Sequence, residues 1–173
     1  MNKDMNKDMK LRKFISTTIR EFLNENQTYT RNGYKYTNIL TDGDFEYDLA
    51  QLLDNKTYGI EVYFRRKLIG SINIGLLDDD WLDNYPDNKY YQIIGKNPFI
   101  HNVEVINEFQ NRGIATKLYM LLFDYLKSDG YKIVYSGKTR NSYYVDNLWS
   151  KFSDGFEILK DSFGTKKIYY KIL

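Results

Sequence analysis

The chain reads as a mixed α/β (α+β) fold, and three observations predict it. Stretches of β-branched and aromatic residues with two-residue alternation recur between Gly- and Asn-containing turns. Apolar residues at helical spacing mark amphipathic helices. One strand ends in a polar loop that runs straight into such a helix, Val105-Ile-Asn-Glu-Phe-Gln-Asn-Arg-Gly-Ile-Ala-Thr116.

The elements follow in order. Residues 1–9 repeat Met-Asn-Lys-Asp and are read as a polar prefix, with residues 10–173 as one domain. Leu11, Phe14, Ile15, Ile19, Phe22 and Leu23 recur at helical spacing, so residues 10–25 are expected to form an amphipathic helix. Residues 28–37 alternate about Asn32-Gly33, a type I′ hairpin signal. Thr41-Asp-Gly-Asp leads into residues 45–53, which are read as a short Asp-capped helix. Residues 58–77 give two strands joined by a tight turn at 65–67. The segment 78–98 carries five aspartates and two turn candidates, and is expected to be a loop or strand extension outside the core.

A strand over 99–105 then precedes a helix opened by Gly113, with Leu118, Leu121, Leu122 and Tyr125 as its apolar face. Residues 131–136 make a short strand and 141–152 a helix. Residues 156–161 and 167–173 close the chain as a hairpin.

Composition narrows the function classes. With 42% apolar and 17% aromatic residues, wholesale disorder is excluded. A net charge of +2, with no Lys/Arg stripe along any expected helix, argues against a nucleic-acid partner. With no cysteine there is neither a disulfide framework, nor a zinc–thiolate site, nor a cysteine nucleophile, which suits a reducing cytoplasm. No apolar run approaches transmembrane length, so no membrane role is expected.

The loop before the helix has its own chemistry. Backbone N–H groups without partners at a helix start accept phosphates. Gly113 lets the backbone approach them, and Ala115 keeps the next position small. The spacing contains neither a P-loop Gly-Lys-Ser/Thr nor a dinucleotide Gly-x-Gly-x-x-Gly.

Gln110-Asn111-Arg112-Gly113-Ile114-Ala115 resembles the Gln/Arg-x-x-Gly-x-Gly/Ala signature of the GNAT superfamily of N-acetyltransferases. Val105 matches that family's strand valine, eight residues before the first signature glycine. Gly70 matches the glycine of its central hairpin, and Gly155-Phe156 its closing Gly-Phe. The resemblance covers roughly residues 57–173. It implies a mostly antiparallel, mixed sheet of six or seven strands, splayed near Val105, with helices on both faces. It further implies acetyl-CoA as cofactor, held by Val103, Val105, Gln110, Asn111, Arg112, Gly113, Ile114, Ala115 and Thr116, with Asn141, or equally Ser142, near the pantetheine arm. Arg112 and Lys117 could add charge to the phosphates.

Acetyl transfer to an amine makes three demands. An amine of pKa about 10.4 must lose a proton before attack. The developing oxyanion needs a donor, and the departing thiolate needs a proton or stabilisation. For the oxyanion, the resemblance implies a main-chain N–H on the strand before the loop, nearest Val105. For the base, His101 is the candidate: it is the single histidine, and the two-residue period puts it on the face of Val103 and Val105. A histidine packed against tyrosines is the equal alternative. Glu104 points to the opposite face and is the weaker candidate.

For the acid, Trp149 stands where the family often has a tyrosine, and indole cannot titrate. Tyr143 and Tyr144 lie earlier on the same helix, and Tyr144 is the substitute if that helix is shifted. Around the acceptor, Asp79, Asp80 and Trp81 of the acidic segment would attract a cationic amine. A solvated loop is the more common role for such a run. The expected partner is a small-molecule or protein amine, with a homodimer possible. The runner-up is a non-catalytic domain of the same fold that binds CoA or a protein partner.

Overall fold

The computed structural model describes residues 28–52, 57–137, 143–161 and 164–173. The polar prefix, the expected helix at 10–25, Asn141 and Ser142 lie outside the described residues. Nine strands form one sheet: β1 (Thr28–Arg31), β2 (Tyr34–Asp42), β3 (Phe45–Leu52), β4 (Thr57–Phe64), β5 (Lys67–Gly75), β6 (Phe99–Val105), β7 (Ile133–Tyr135), β8 (Gly155–Asp161) and β9 (Gly164–Ile172). Their order across the sheet is β1-β2-β3-β4-β5-β6-β7-β9-β8, and every neighbouring pair is antiparallel except β6–β7. Four α-helices accompany it: α1 (Asp79–Asn84), α2 (Lys89–Ile94), α3 (Ile114–Ser128) and α4 (Tyr143–Phe152).

The sheet is mixed and mostly antiparallel, as expected, but has nine strands where six or seven were expected. Part of the difference lies at 45–53, where a strand stands in place of the expected helix. Phe45, Tyr47 and Leu49 alternate with Glu46, Asp48 and Ala50, a period of two that fits a strand and no helix. The preceding Gly43-Asp44 is a hairpin turn, with Gly43 at φ 63°, and so is not a helix cap.

The acidic segment also departs from expectation, because it folds into α1 and α2. Asp78 caps α1 by accepting the Trp81 N–H at 3.0 Å, and Asn88 caps α2 by accepting from Tyr90 N and Tyr91 N. Tyr90 and Ile94, four residues apart, turn one face of α2 into a small second core with Leu159 and Ile168.

The main core lies on the other face of the sheet. There α3 packs across β4, β5 and β6. It buries Ile114, Leu118, Leu121, Leu122 and Leu126 against Ile60, Val62, Ile72, Ile74 and Ile100. Trp149 joins this core from α4, at right angles to Tyr119 and stacked parallel to Tyr169 of β9. Helices therefore cover both faces, α3 and α4 on one and α1 and α2 on the other. Among the described residues no helix is long and apolar enough to cross a membrane.

Candidate active site

The parallel strands β6 and β7 pair at one position only, Phe99 with Tyr135, and then diverge. Past that point β6 has no strand on its β7 side among the described residues. The ladder with β5 fixes what β6 presents there. Ile106 N donates to Ile69 O at 2.9 Å, and antiparallel hydrogen bonds alternate residue by residue. Asn102 and Glu104 therefore bond toward β5, and the N–H groups of Val103 and Val105 point into the gap.

Close approach on both sides shapes this region. Gly70 sits opposite Val105, where a Cβ would come within 2.7 Å of Glu104 O. Gly137 presses on Ile100, whose carbonyl oxygen would lie 2.2 Å from an added Cβ. The glycine at 70 was legible from the hairpin. The one at 137 carried no sequence signal.

A turn of 3₁₀ helix (Asn107–Phe109) leads from the gap to α3. Gln110 braces it, with Nε2 donating to Val105 O at 2.9 Å and to Asn107 Oδ1 at 3.1 Å. Asn111 (φ 60°) and Gly113 (φ 78°) both adopt the left-handed region, which aims successive amides the same way. Gly113 is the N-cap of α3 and offers no side-chain acceptor, so the first amides of the helix, on Ile114, Ala115 and Thr116, have no capping partner. A Cβ built on Gly113 meets nothing within 4 Å, so the space before the helix is open. The side chain of Ile114 is core, while Ala115 and Thr116 lie toward the surface. Arg112 spreads over the Phe109 ring at 5.1 Å. Lys117 is engaged elsewhere: its ammonium pairs with Asp42, whose carboxyl it holds below the usual value by that hydrogen bond, and lies over the Tyr47 ring.

His101 corrects the expected strand geometry. Asn73 pairs with Asn102 and Ile74 with Ile100, so His101 is the extra residue of a β-bulge. The bulge breaks the two-residue period. Val103 and Val105 pack toward α3, whereas the exposed His101 ring stands edge-on to Phe99 on the α1/α2 side. There it lines a pocket of about 440 Å³ together with Leu77, Trp81, Tyr91, Phe99 and Gly137. Glu104 lies exposed beside Asn102, which donates to it at 2.8 Å.

Of the expected acceptor residues, only Trp81 lines this pocket. Asp79 pairs with Lys96 at 2.6 Å, and Asp80 is exposed. Sequence reasoning missed the aromatic lining from α2, because that segment was read as loop. Trp149, only 1% exposed, is a core residue and faces no open site. Tyr144 lies in the first turn of α4, about 140° around the helix from Trp149. Among the described residues no cluster of His, Asp or Glu could hold a metal.

A glycine-capped helix beside a splayed parallel pair is what the sequence signature implied. The model of the Acetyltransferase (GNAT) family matches residues 18–152. The chain belongs to this family.

Solved structures agree on the fold. PaiA N-acetyltransferase from Thermoplasma acidophilum, in complex with coenzyme A, superposes with TM-score 0.50 at 12% identity, over 69% of this chain and 63% of that one. A GNAT family acetyltransferase from Elizabethkingia anophelis, with acetyl-CoA bound, gives 0.50 at 18% identity over 68% and 77% of the two chains. An agmatine N-acetyltransferase variant in its apo form gives 0.51 at 8% identity over 71% and 78%. The chain spans less than two thirds of the Thermoplasma enzyme's length. No curated protein matches it.

Proposed function

We propose that this GNAT chain is an acetyl-CoA-dependent N-acetyltransferase acting on a primary amine, of a small molecule or a protein, by direct attack. The observation that carries the reading is the uncapped start of α3 beside the gap between β6 and β7. The residues present fit the cofactor. Amides of Gly113, Ile114, Ala115 and Thr116 suit a pyrophosphate, with the open space at Gly113 giving it room. Asn111 and Gln110 shape the loop, and Arg112 adds positive charge. Val103 and Val105 present backbone donors along the gap, and Asn141 is assigned to the pantetheine arm.

Bound acetyl-CoA supplies a thioester-activated acetyl group and a thiol leaving group. His101, at the bulge beside the gap, takes the ammonium proton directly or through one water, freeing the nitrogen lone pair. The Val105 N–H donates to the carbonyl oxygen as charge develops there. Tyr144 is the residue of α4 assigned to return a proton. With a thiol pKa near 8.5, solvent can serve in its place.

Calorimetry with coenzyme A, then thiol release over a panel of amines, tests the reading. The absence of cysteine keeps the thiol background at zero. Micromolar binding with amine-dependent release is the expected result; no heat and no release overturns it. The burial of Trp149 at the family's tyrosine position favours a second reading, a non-catalytic CoA-binding domain. Binding without release on any amine would establish that one.

A further inference from the structure

The geometry points to an acceptor whose amine is carried on an apolar body, an aromatic ring or aliphatic chain, rather than to a polycation. This rests on the transferase reading and assigns its acceptor class. The pocket that His101 and Gly137 help to line is about 440 Å³, within the range of small-molecule sites. Its walls are Leu77, Trp81, Tyr91 and Phe99, and among the described residues none that lines it is acidic.

Two polar atoms of its lining already have partners within the fold. Asn88 Oδ1 accepts the amides of Tyr90 and Tyr91, and the Tyr90 hydroxyl donates to Ser136 O at 3.2 Å. Two carboxylates of the acidic segment are turned to other tasks. Asp78 caps α1 and Asp79 pairs with Lys96. One face of Trp81 is stacked on Tyr85, with ring centroids 5.3 Å apart, and its edge meets Tyr91. A second ammonium entering this pocket would shed water and meet ring faces, but no carboxylate among the described lining residues. A ring or methylene chain would gain instead, at roughly fourfold in affinity for each methylene buried. The reacting nitrogen then sits at the His101 end, where the sheet opens, and the body of the molecule lies toward Trp81.

Phenethylamine and putrescine make the test, since both are primary amines and they differ at the far end. Each is titrated by calorimetry into protein saturated with CoA, and again into coenzyme-free protein. Phenethylamine is expected to bind at least about tenfold tighter, and its kcat/KM with acetyl-CoA to exceed that of putrescine by the same order. Trp81→Ala, at a residue 47% exposed and so tolerant of truncation, should weaken phenethylamine about tenfold through KM, and Trp81→Phe should restore most of it. Equal or tighter binding of putrescine, or an unchanged phenethylamine affinity in Trp81→Ala, overturns the assignment. The transferase reading fails separately, by silence toward CoA. Trp81-dependent binding of phenethylamine to the free protein would then still support the pocket's preference.

Discussion

Trp149 takes its role from its neighbours. Its indole is wedged between Tyr119 and Phe123 of α3 and Tyr169 of β9, with no route to the gap. Trp149→Tyr should therefore add no acid. It should lower stability by about 1–3 kcal/mol, through a partial cavity and a buried hydroxyl, and leave kcat unchanged. Chemical denaturation and thiol release measure the two effects, and a rise in kcat would place position 149 in the chemistry after all. Asp154 is a second residue whose contacts set a measurable property. It accepts Lys171 Nζ at 2.9 Å and Ile172 N–H at 2.7 Å. The lysine hydrogen bond leads in holding its carboxyl below the ordinary 3.8. A depressed folded value stabilises the protein above the unfolded pKa, and that contribution fades as pH falls through the folded one. Because the group is partly exposed, its worth is about 1 kcal/mol. Asp154→Asn should be less stable than wild type by that amount at neutral pH, and urea melts should show the two converging as pH falls below the ordinary carboxylate range.

At the scale of elements, what was legible depended on whether a segment's own period matched its partner's. The helix opened by Gly113 carries an unbroken pattern, and both it and the strand ending at Val105 have strong boundary residues, so their limits were plain. The hairpin about Asn32-Gly33, and the turn where Arg65 and Arg66 take positive φ, were equally plain from turn chemistry. β3 was misread because its aspartate turn looks like a helix cap when the alternation behind it is not counted. α1 and α2 were missed because helices this short carry little local pattern; α2 is held by docking Tyr90 and Ile94, while α1 rests on its Asp78 cap. A bulge leaves no period to read, so the position of His101 and the pocket it lines could not be obtained from spacing. The contact of Gly137 with Ile100 was hidden in the same way. With 2.2 Å between an added Cβ and the Ile100 oxygen, Gly137→Ala must push β7 from β6 and should destabilise the fold by about 1–3 kcal/mol. Thermal melts should register this as a loss of roughly 2–10 °C, with catalysis falling as well because the gap changes shape. A melt within a degree of wild type would mean that the strands adjust freely there.

For the whole molecule, the consequence of this topology is a sheet held across its middle by very little. β1–β6 form a continuous antiparallel ladder, β7–β9 form another, and the two meet at the single Phe99–Tyr135 pair. The Tyr135 N–H to Pro98 O reinforces that junction at its closed end, and the Tyr90 hydroxyl ties the end of β7 to α2 at Ser136 O. A ligand lodged in the open end would bond to backbone that no strand serves, and would add contacts across the junction. At a hundredfold excess over its Kd, coenzyme A should stabilise the folded state by about 2.7 kcal/mol. For a chain of this size that raises Tm by roughly 5–10 °C. Gly113→Ala places a side chain in left-handed backbone at φ 78°, and should lose about 1 kcal/mol of stability and much of this shift. Hydrogen exchange locates the effect. In the free protein the amides of Val103 and Val105, which point away from β5, should exchange far faster than those of Asn102, Glu104 and Ile106. Coenzyme A should slow the first pair by at least about tenfold and leave the second set nearly unchanged. Slow exchange at 103 and 105 without ligand would mean that the gap is closed by other backbone, and the proposed binding line along β6 would be lost with it.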